Sequence, residues 1–260
     1  MQKTTQNAAK KRPVPTKRSP VIKSGNTSAS PGSGAADDEV NVMALRLTPG
    51  KLSPEMTAYF NKCEEKLGFV PNVLKAFAFD DAKLQAFVDY RQELVQKAAN
   101  LSKLEIEMIA TVVSAQNRCF YCITAHGNAV RQLGGPVLGE MMVMNYRAAR
   151  LDKRQRAMLD FAVKLTAQPW EIEEEDRELL RRAGFTDRDI WDIAAVAAFY
   201  NMSNRMAAAV DMRPNREYHY MVRERTGSEV RPPTTDHRTS PPPAPLSRGS
   251  AARRRRSRME

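Results

Sequence analysis

The sequence predicts an all-α domain between two basic tails. Apolar residues recur every three or four positions through the central part of the chain, and no segment alternates apolar and polar residues as a strand would. Helix-capping signals precede several of these apolar runs. Basic residues are concentrated at the ends, where residues 1–42 and 223–260 together account for +10 of the net charge of +11.

The two ends have the composition of disordered segments. Residues 1–42 contain seven basic and three acidic side chains, and residues 223–260 contain ten and four. Both are rich in Pro, Ser and small residues and lack a periodic apolar pattern, so they cannot bury enough surface to offset chain entropy. We predict a disordered basic tail at 1–42, a disordered Pro/Arg-rich tail at 223–260, and a nearly neutral domain over 43–222.

Three helices are predicted in the first part of the domain. Ser53 followed by Pro54 starts a helix that Gly68 ends, Pro71 precedes a short second helix, and Asp80 opens a third. The apolar positions that these helices turn inward are Met56, Tyr59, Phe60, Cys63, Val73, Leu74, Phe77, Leu84, Phe87, Val88, Leu94 and Val95. Cys63 lies on this apolar stripe, and the simplest interpretation is that it is a small core side chain.

The next helix is predicted to be central to the core. Ser102 and Glu105 form a capping box at its start. Apolar residues cover two opposite sides of it, Ile106, Ile109 and Val113 on one and Leu104, Met108 and Val112 on the other. Glu107 falls on a narrow third stripe with Thr111 and Ser114. A carboxylate on a largely buried helix needs a partner or a chemical role, because leaving it unpaired costs several kcal/mol.

Two cysteines and a histidine share one face of the following helix. Along a single straight helix, Glu107 would lie roughly 20 Å from Cys122. We therefore expect the chain to turn near Asn117 and start a new helix around Cys119 that folds back beside the previous one. The face of this new helix that points to the core carries Cys119, Cys122, His126, Val130 and Leu133, and Gly134–Gly135 ends it.

The remaining pattern is helical as well. Asp152 starts a helix that ends before Pro169, and an acidic-to-basic helix is predicted over 171–182. Thr186 caps a long helix that runs towards Pro214, and its charged residues are interpreted as a solvated face.

The cysteine–histidine cluster is the candidate catalytic site. Two thiols three residues apart at a helix start can form a disulfide, and the helix N-terminus stabilises a thiolate. His126, one turn after Cys122, can act as base, and Glu107 can orient the imidazole or relay a proton. This favours a thiol that attacks a small electrophile. Spacing alone leaves two alternatives open, an inert pair of core thiols and a zinc site formed by the same four residues.

Other classes are disfavoured by what the sequence lacks. Three cysteines do not make a disulfide framework, and no apolar segment after Met1 indicates a secretory signal, so we expect a cytoplasmic protein. No run of about 18 apolar residues indicates a membrane span. No nucleotide-binding loop and no G-x-S-x-G elbow occur.

The four site residues resemble a known family motif. Glu107, Cys119, Cys122 and His126 have the spacing found in the alkyl hydroperoxidase D-like, or carboxymuconolactone decarboxylase-like, family. Residues 43–222 are similar to its peroxidase-related branch, including the segments 67–72, 195–205 with Asn201 and Asn204, and 213–219.

That resemblance implies an all-α oligomeric peroxidase. Cys122 would attack the hydroperoxide and Cys119 would resolve the product as a disulfide, with His126 as base and Glu107 as proton relay. No bound cofactor is implied; an external dithiol such as dihydrolipoamide, or a thioredoxin-like protein, would restore the thiols. Some family members have a second histidine where this chain has Tyr121, and a phenol does not titrate near neutrality, so the relay would be simpler and activity lower. Tyr121, Thr111 and Ser114 are candidate supporting residues.

Two other functions are weighed beside the peroxidase. The wider family name suggests a lactone decarboxylase, but that reaction has no evident need for two cysteines. A non-catalytic module whose basic tails bind nucleic acid is suggested by residues 10–12 and 253–256. Aromatic residues are not interleaved with these basic runs, which disfavours a nucleic-acid partner. The expected partners are a small hydroperoxide, a dithiol donor and further copies of the chain.

Overall fold

The computed structural model describes residues 41–98 and 100–223, and within that part of the chain every regular element is helical. This confirms the predicted all-α class. The predicted disordered tails lie outside the described residues apart from residues 41, 42 and 223. The α-helices of the described part are α1 (Pro54–Leu67), α2 (Asn72–Phe77), α3 (Asp81–Gln96), α4 (Lys103–Gln116), α5 (Phe120–Gly134), α6 (Pro136–Asn145), α7 (Lys153–Ala167), α8 (Glu174–Arg182) and α9 (Asp187–Ala209). Short 3-10 helices occupy Tyr146–Ala148, Pro169–Glu171 and Arg216–His219.

The predicted capping residues set the helix starts. The Ser53 hydroxyl accepts the N–H of Met56 at 3.2 Å, and Gly68 ends α1 with a φ of +80° that disfavours other residues. Ser102 caps α4 in a complete capping box with Glu105. Asp80, Asp152 and Thr186 cap α3, α7 and α9 in the same way as predicted, each accepting a backbone N–H through its side chain.

α4 is the central helix of the described domain. It contacts α5, α6, α7 and α9. Both of its apolar sides are buried, with Ile109 and Met108 fully inaccessible and Leu104 partly covered. This confirms the prediction from its two apolar stripes, and it places Glu107 between neighbouring helices. No helix among the described residues combines the length and the apolar character that a membrane crossing needs.

Two predicted features of the last helices are wrong. The helix predicted over 171–182 begins only at Glu174, because Asp176 accepts the N–H of Glu173 at 2.9 Å and so sets the first turn there. On α9, the charged face was predicted to be solvated, but Asp189 and Asp192 are buried. Asp189 accepts hydrogen bonds from Thr186 in the capping box, and this local role takes its carboxylate out of solvent.

Leu133 also departs from its predicted burial. It lies in the last turn of α5 and is 50% exposed, although the helical period puts it on the same stripe as the buried Val130. The period fixes the direction of a side chain but not how far the neighbouring elements extend along the helix.

Candidate active site

The turn between α4 and α5 builds the site. Arg118 adopts a left-handed conformation with φ of +54°, and Cys119 is the residue that precedes the first turn of α5. The Asn117 amide donates to Oδ1 of both Asn201 and Asn204 at 2.9 Å, which ties the turn to α9. The break predicted near Asn117 is therefore present, and it lays α5 against α4.

Glu107 and His126 form a close pair across these two helices. Oε2 of Glu107 lies 2.7 Å from Nδ1 of His126, and their side chains are 13% and 15% exposed. Burial alone would raise the pKa of Glu107, but the charge and hydrogen bond of His126, together with the charge of Arg91, outweigh it and lower that pKa. Glu107 is therefore a carboxylate that accepts the Nδ1–H of His126. This leaves Nε2 as the nitrogen available for proton transfer.

Cys119 and Cys122 are both free thiols, 4% and 1% exposed, and hydrogen-bonded to each other. The hydrogen bond from Cys122, with help from the backbone N–H groups of Tyr121 and Cys122, lowers the pKa of Cys119 to about 7 against the burial that opposes it. The same bond, reinforced by burial, raises the pKa of Cys122 well above its ordinary value. The first thiol of the pair to ionise is thus Cys119, and the Cys122 S–H stabilises its charge.

Two side chains of α9 also reach the second thiol. Ser203 and Asn204 hydrogen-bond to Cys122 and favour its thiolate, although less strongly than Cys119 disfavours it. The Asn204 amide also donates to Ser114 Oγ at 3.1 Å. Cys122 therefore lies where α5, α4 and α9 meet, with hydroxyl and amide donors beside its sulfur.

The order of ionisation can be tested by titration. In a Cys63→Ser background, so that only the dithiol contributes, the ultraviolet absorbance of thiolate should rise with a midpoint near pH 7. Cys122→Ala removes the S–H donor, and the midpoint should move up towards the ordinary 9.0. A dithiol whose first midpoint lies at or above the ordinary value would contradict the assignment.

A partly open cavity of about 180 Å³ is lined by the second cysteine and the histidine. Cys119 does not belong to its lining but packs behind Cys122, against Met43, Ala76 and Met212. The residues that line the cavity are Tyr59, Cys63, Leu67, Pro71, Val73, Leu74, Phe87, Val88, Arg91, Tyr121, Cys122, Ala125, His126, Phe199, Tyr200, Ser203 and Tyr218. The arrangement gives a small molecule access to Cys122 and His126, with Cys119 and Glu107 placed behind them.

The predicted supporting residues contribute in different ways. The Tyr121 hydroxyl accepts the N–H of Val73 at 2.9 Å, and burial raises its pKa well above the ordinary value, so it stays a neutral phenol that anchors α2 to α5. Thr111 donates to the backbone carbonyl of Glu107 at 2.7 Å. Ser114 donates to a carbonyl of its own helix at 2.6 Å and receives the Asn204 amide.

The sequence analysis did not identify several of the residues that line the cavity. Arg91 lies on α3 at helical spacing from Leu84 and Val88, so a cation on an apolar stripe was the available signal. Tyr200 lies on α9 between the buried Ala197 and Asn204, and its ring packs edge-on against His126 at a centroid distance of 4.5 Å. Their convergence on one cavity depends on how α3 and α9 pack, which no local pattern contains.

A zinc site formed by Glu107, Cys119, Cys122 and His126 is the alternative that the spacing leaves open. Within residues 41–98 and 100–223, no three His, Cys, Asp or Glu side chains come together in a group that could hold a metal ion.

Comparison with known proteins gave one family match and several structural matches. The carboxymuconolactone decarboxylase family model matches residues 82–136, which include α4, the turn and α5. The debrominase Bmp8 shares the fold at 20% identity, with a TM-score of 0.58, over 68% of this chain and 95% of its own. No curated protein matches the chain.

Two crystal structures are closer in sequence. An uncharacterized peroxidase-related protein from Silicibacter sp. TM1040 is 59% identical over 70% of this chain and 96% of its own, with a TM-score of 0.68. An alkylhydroperoxidase AhpD core, an uncharacterized peroxidase-related protein from Ralstonia eutropha JMP134, is 39% identical over 71% and 98%, with a TM-score of 0.67. Fold and site define an all-α protein with a dithiol beside a carboxylate–imidazole pair. The chain belongs to the alkyl hydroperoxidase D-like, carboxymuconolactone decarboxylase-like family.

Proposed function

We propose that this protein is a thiol-dependent hydroperoxide reductase. The observation that carries the proposal is that Cys122 and His126 line one small cavity, while Cys119 is hydrogen-bonded to Cys122. A nucleophile, a base and a resolving thiol are thus within one site, and Glu107 orients the base at 2.7 Å. The peroxidase-related names of the two closer structures support the same chemistry.

The first step transfers one oxygen atom from the peroxide to sulfur. Proton transfer from the Cys122 thiol to the Cys119 thiolate, along their existing hydrogen bond, moves the charge to the sulfur that faces the cavity. The Cys122 thiolate attacks the terminal oxygen of the hydroperoxide, the O–O bond breaks, and Cys122 becomes a sulfenic acid. The proton that the dithiol first lost is held on His126, paired with Glu107, and protonates the departing alkoxide to give an alcohol.

The second step closes the disulfide. The sulfur of Cys119 attacks the sulfur of the sulfenic acid, and the hydroxyl leaves with the Cys119 proton as water. The peroxide has then been reduced by two electrons to an alcohol and water, and the protein has been oxidised by two electrons. An external dithiol such as dihydrolipoamide, or a thioredoxin-like protein, restores both thiols by exchange. We further propose that the active form is a homo-oligomer.

Differential alkylation tests the cycle. Reduced protein is treated with one equivalent of tert-butyl hydroperoxide, blocked with a light alkylating reagent, reduced, labelled with a heavy one and analysed by mass spectrometry. We expect heavy label on Cys119 and Cys122 in equal amounts and light label on Cys63, whose pKa burial raises. Light label on Cys119 and Cys122 after peroxide treatment would overturn the proposal.

A further inference from the structure

The cavity wall holds a second group of polar side chains besides the dithiol and the histidine. Arg91 projects from α3 among the phenols Tyr59, Tyr200 and Tyr218, and all four residues line the cavity. Guanidinium and phenol groups can all donate hydrogen bonds, and the guanidinium can only donate. This donor corner, defined as Arg91 with Tyr59, Tyr200 and Tyr218, therefore matches a ligand group that accepts hydrogen bonds.

Among the described residues, no carboxylate forms a close ion pair with Arg91. Among the described residues, the carboxylate that interacts with it electrostatically is Glu107, but Glu107 makes its close ion pair with His126. Burial would lower the pKa of Arg91, yet the surrounding phenols and Glu107 outweigh this, so the guanidinium stays charged. A cation in a low-dielectric cavity is stabilised strongly by an anion that enters and pairs with it.

The Tyr200 hydroxyl points to the same conclusion. It is fully buried, and among the described residues its O–H finds no acceptor, because the neighbouring Arg91 guanidinium can only donate. Buried hydroxyls are seldom left unpaired, since an unmade bond costs about 1–3 kcal/mol. Burial raises the pKa of Tyr200, which keeps the proton available for donation.

We propose that the donor corner binds a carboxylate, and that the preferred substrate is a small hydroperoxide bearing one. The second half of this statement rests on the proposed reductase function; the first half does not. A carboxylate can accept two parallel bonds from the planar guanidinium and a third from Tyr200. A cavity of about 150 Å³ suffices to hold benzene in another protein, so about 180 Å³ accommodates a carboxylic acid of similar size.

Calorimetric binding of two non-reactive probes tests the subsite. Benzoate and benzamide have nearly the same shape and differ in charge. Reduced full-length protein should bind benzoate at least about tenfold more tightly than benzamide, as expected for charge-assisted hydrogen bonds. Arg91→Met should remove that preference, Arg91→Lys should restore part of it, and Arg182→Met, on the exposed end of α8, should leave it unchanged. Equal binding of both probes by the unmodified protein, or a benzoate preference that survives Arg91→Met, would overturn the proposal.

A second variant covers the case in which Arg91→Met does not fold. Tyr200→Phe keeps the ring against His126 and removes only the hydroxyl, so benzoate binding should weaken several-fold while benzamide binding changes less. If Tyr200→Phe leaves benzoate affinity unchanged and the unmodified protein shows no preference for benzoate, the donor corner binds no ligand. Its side chains then only pack against their neighbours and balance the charge of Glu107.

Turnover separates this inference from the reductase proposal. The matched substrates are 2-methyl-2-butyl hydroperoxide and 3-hydroperoxy-3-methylbutanoate, assayed with dihydrolipoamide. We expect the carboxylate-bearing peroxide to have the larger kcat/KM by about tenfold, and Arg91→Met to remove that advantage. Equal reduction of both peroxides would overturn the substrate preference and leave the reductase function standing. Benzoate binding without reduction of either peroxide would support the subsite and remove the reductase function.

Discussion

Replacing Cys122 with serine should abolish peroxide-dependent turnover, with a loss of at least about a thousandfold, as for other enzymes that lose their nucleophile. A serine hydroxyl fills the position but does not ionise in the working pH range, and it cannot form the disulfide with Cys119. The measurement is consumption of tert-butyl hydroperoxide with dihydrolipoamide in excess. Cys63→Ser is the matched control, because that thiol lines the same cavity but lies on α1 and is not part of the Cys119–Cys122 pair.

Cys119→Ser completes this experiment by separating the two thiol roles. We expect Cys122 in that variant to form a sulfenic acid that a dimedone probe labels, with no disulfide and no sustained turnover. The low pKa of Cys119, about 7, would favour the opposite assignment if ionisation alone selected the nucleophile. Dimedone labelling of Cys119 in the Cys122→Ser variant would establish that reversed order.

Turnover of a lactone that survives loss of both cysteines would instead favour a decarboxylase.

The local part of the site was predictable from spacing. Cys122 and His126 lie on one face of α5, Cys119 is the residue before its first turn, and a break at Asn117 was required before Glu107 could approach. The structure adds the 2.7 Å contact between the carboxylate and the imidazole. The positions of Glu107 and His126 on two adjacent helices were enough to predict that the two side chains approach each other, since a short turn between helices leaves few ways to pack them.

The distant part of the site was not predictable in the same way. Arg91 is separated from the dithiol by α4 and Tyr200 by α6, α7 and α8. Each lies on an apolar stripe where a long polar side chain also fits a structural role. Sequence spacing places a residue on one face of its helix but does not show which other helix packs against that face. The order in which the two thiols ionise was not predictable for a related reason. It depends on the hydrogen bond between the two sulfurs, which is the largest influence on both pKa values.

Glu107→Gln should lower kcat/KM by about a hundredfold or more, within the range that general acid–base catalysis contributes. Glutamine keeps the size of the side chain, and its carbonyl can still accept from Nδ1 of His126. It lacks the negative charge that stabilises a protonated imidazole, so His126 holds a proton less readily for the departing alkoxide. Glu175→Gln, at an exposed position on α8, is the matched control and should keep full activity. Normal turnover in Glu107→Gln would remove the carboxylate from the mechanism.

The same substitution has a second, pH-dependent consequence for stability. The folded protein lowers the pKa of Glu107 from 4.5, so the ionised carboxylate stabilises the folded state. That contribution is complete above about pH 4.5 and is lost as the pH falls through the lowered folded value. Because the pair with His126 is only 13% and 15% exposed, Glu107→Gln should lower the free energy of unfolding at neutral pH by about 1–3 kcal/mol. Chemical denaturation of both proteins between pH 5 and pH 3 should therefore give a stability difference that is largest near pH 5 and narrows below pH 4.5. A difference that widens from pH 4.5 to pH 3 would mean that Glu107 is neutral in the folded protein, and that it donates to the imidazole instead of accepting from it.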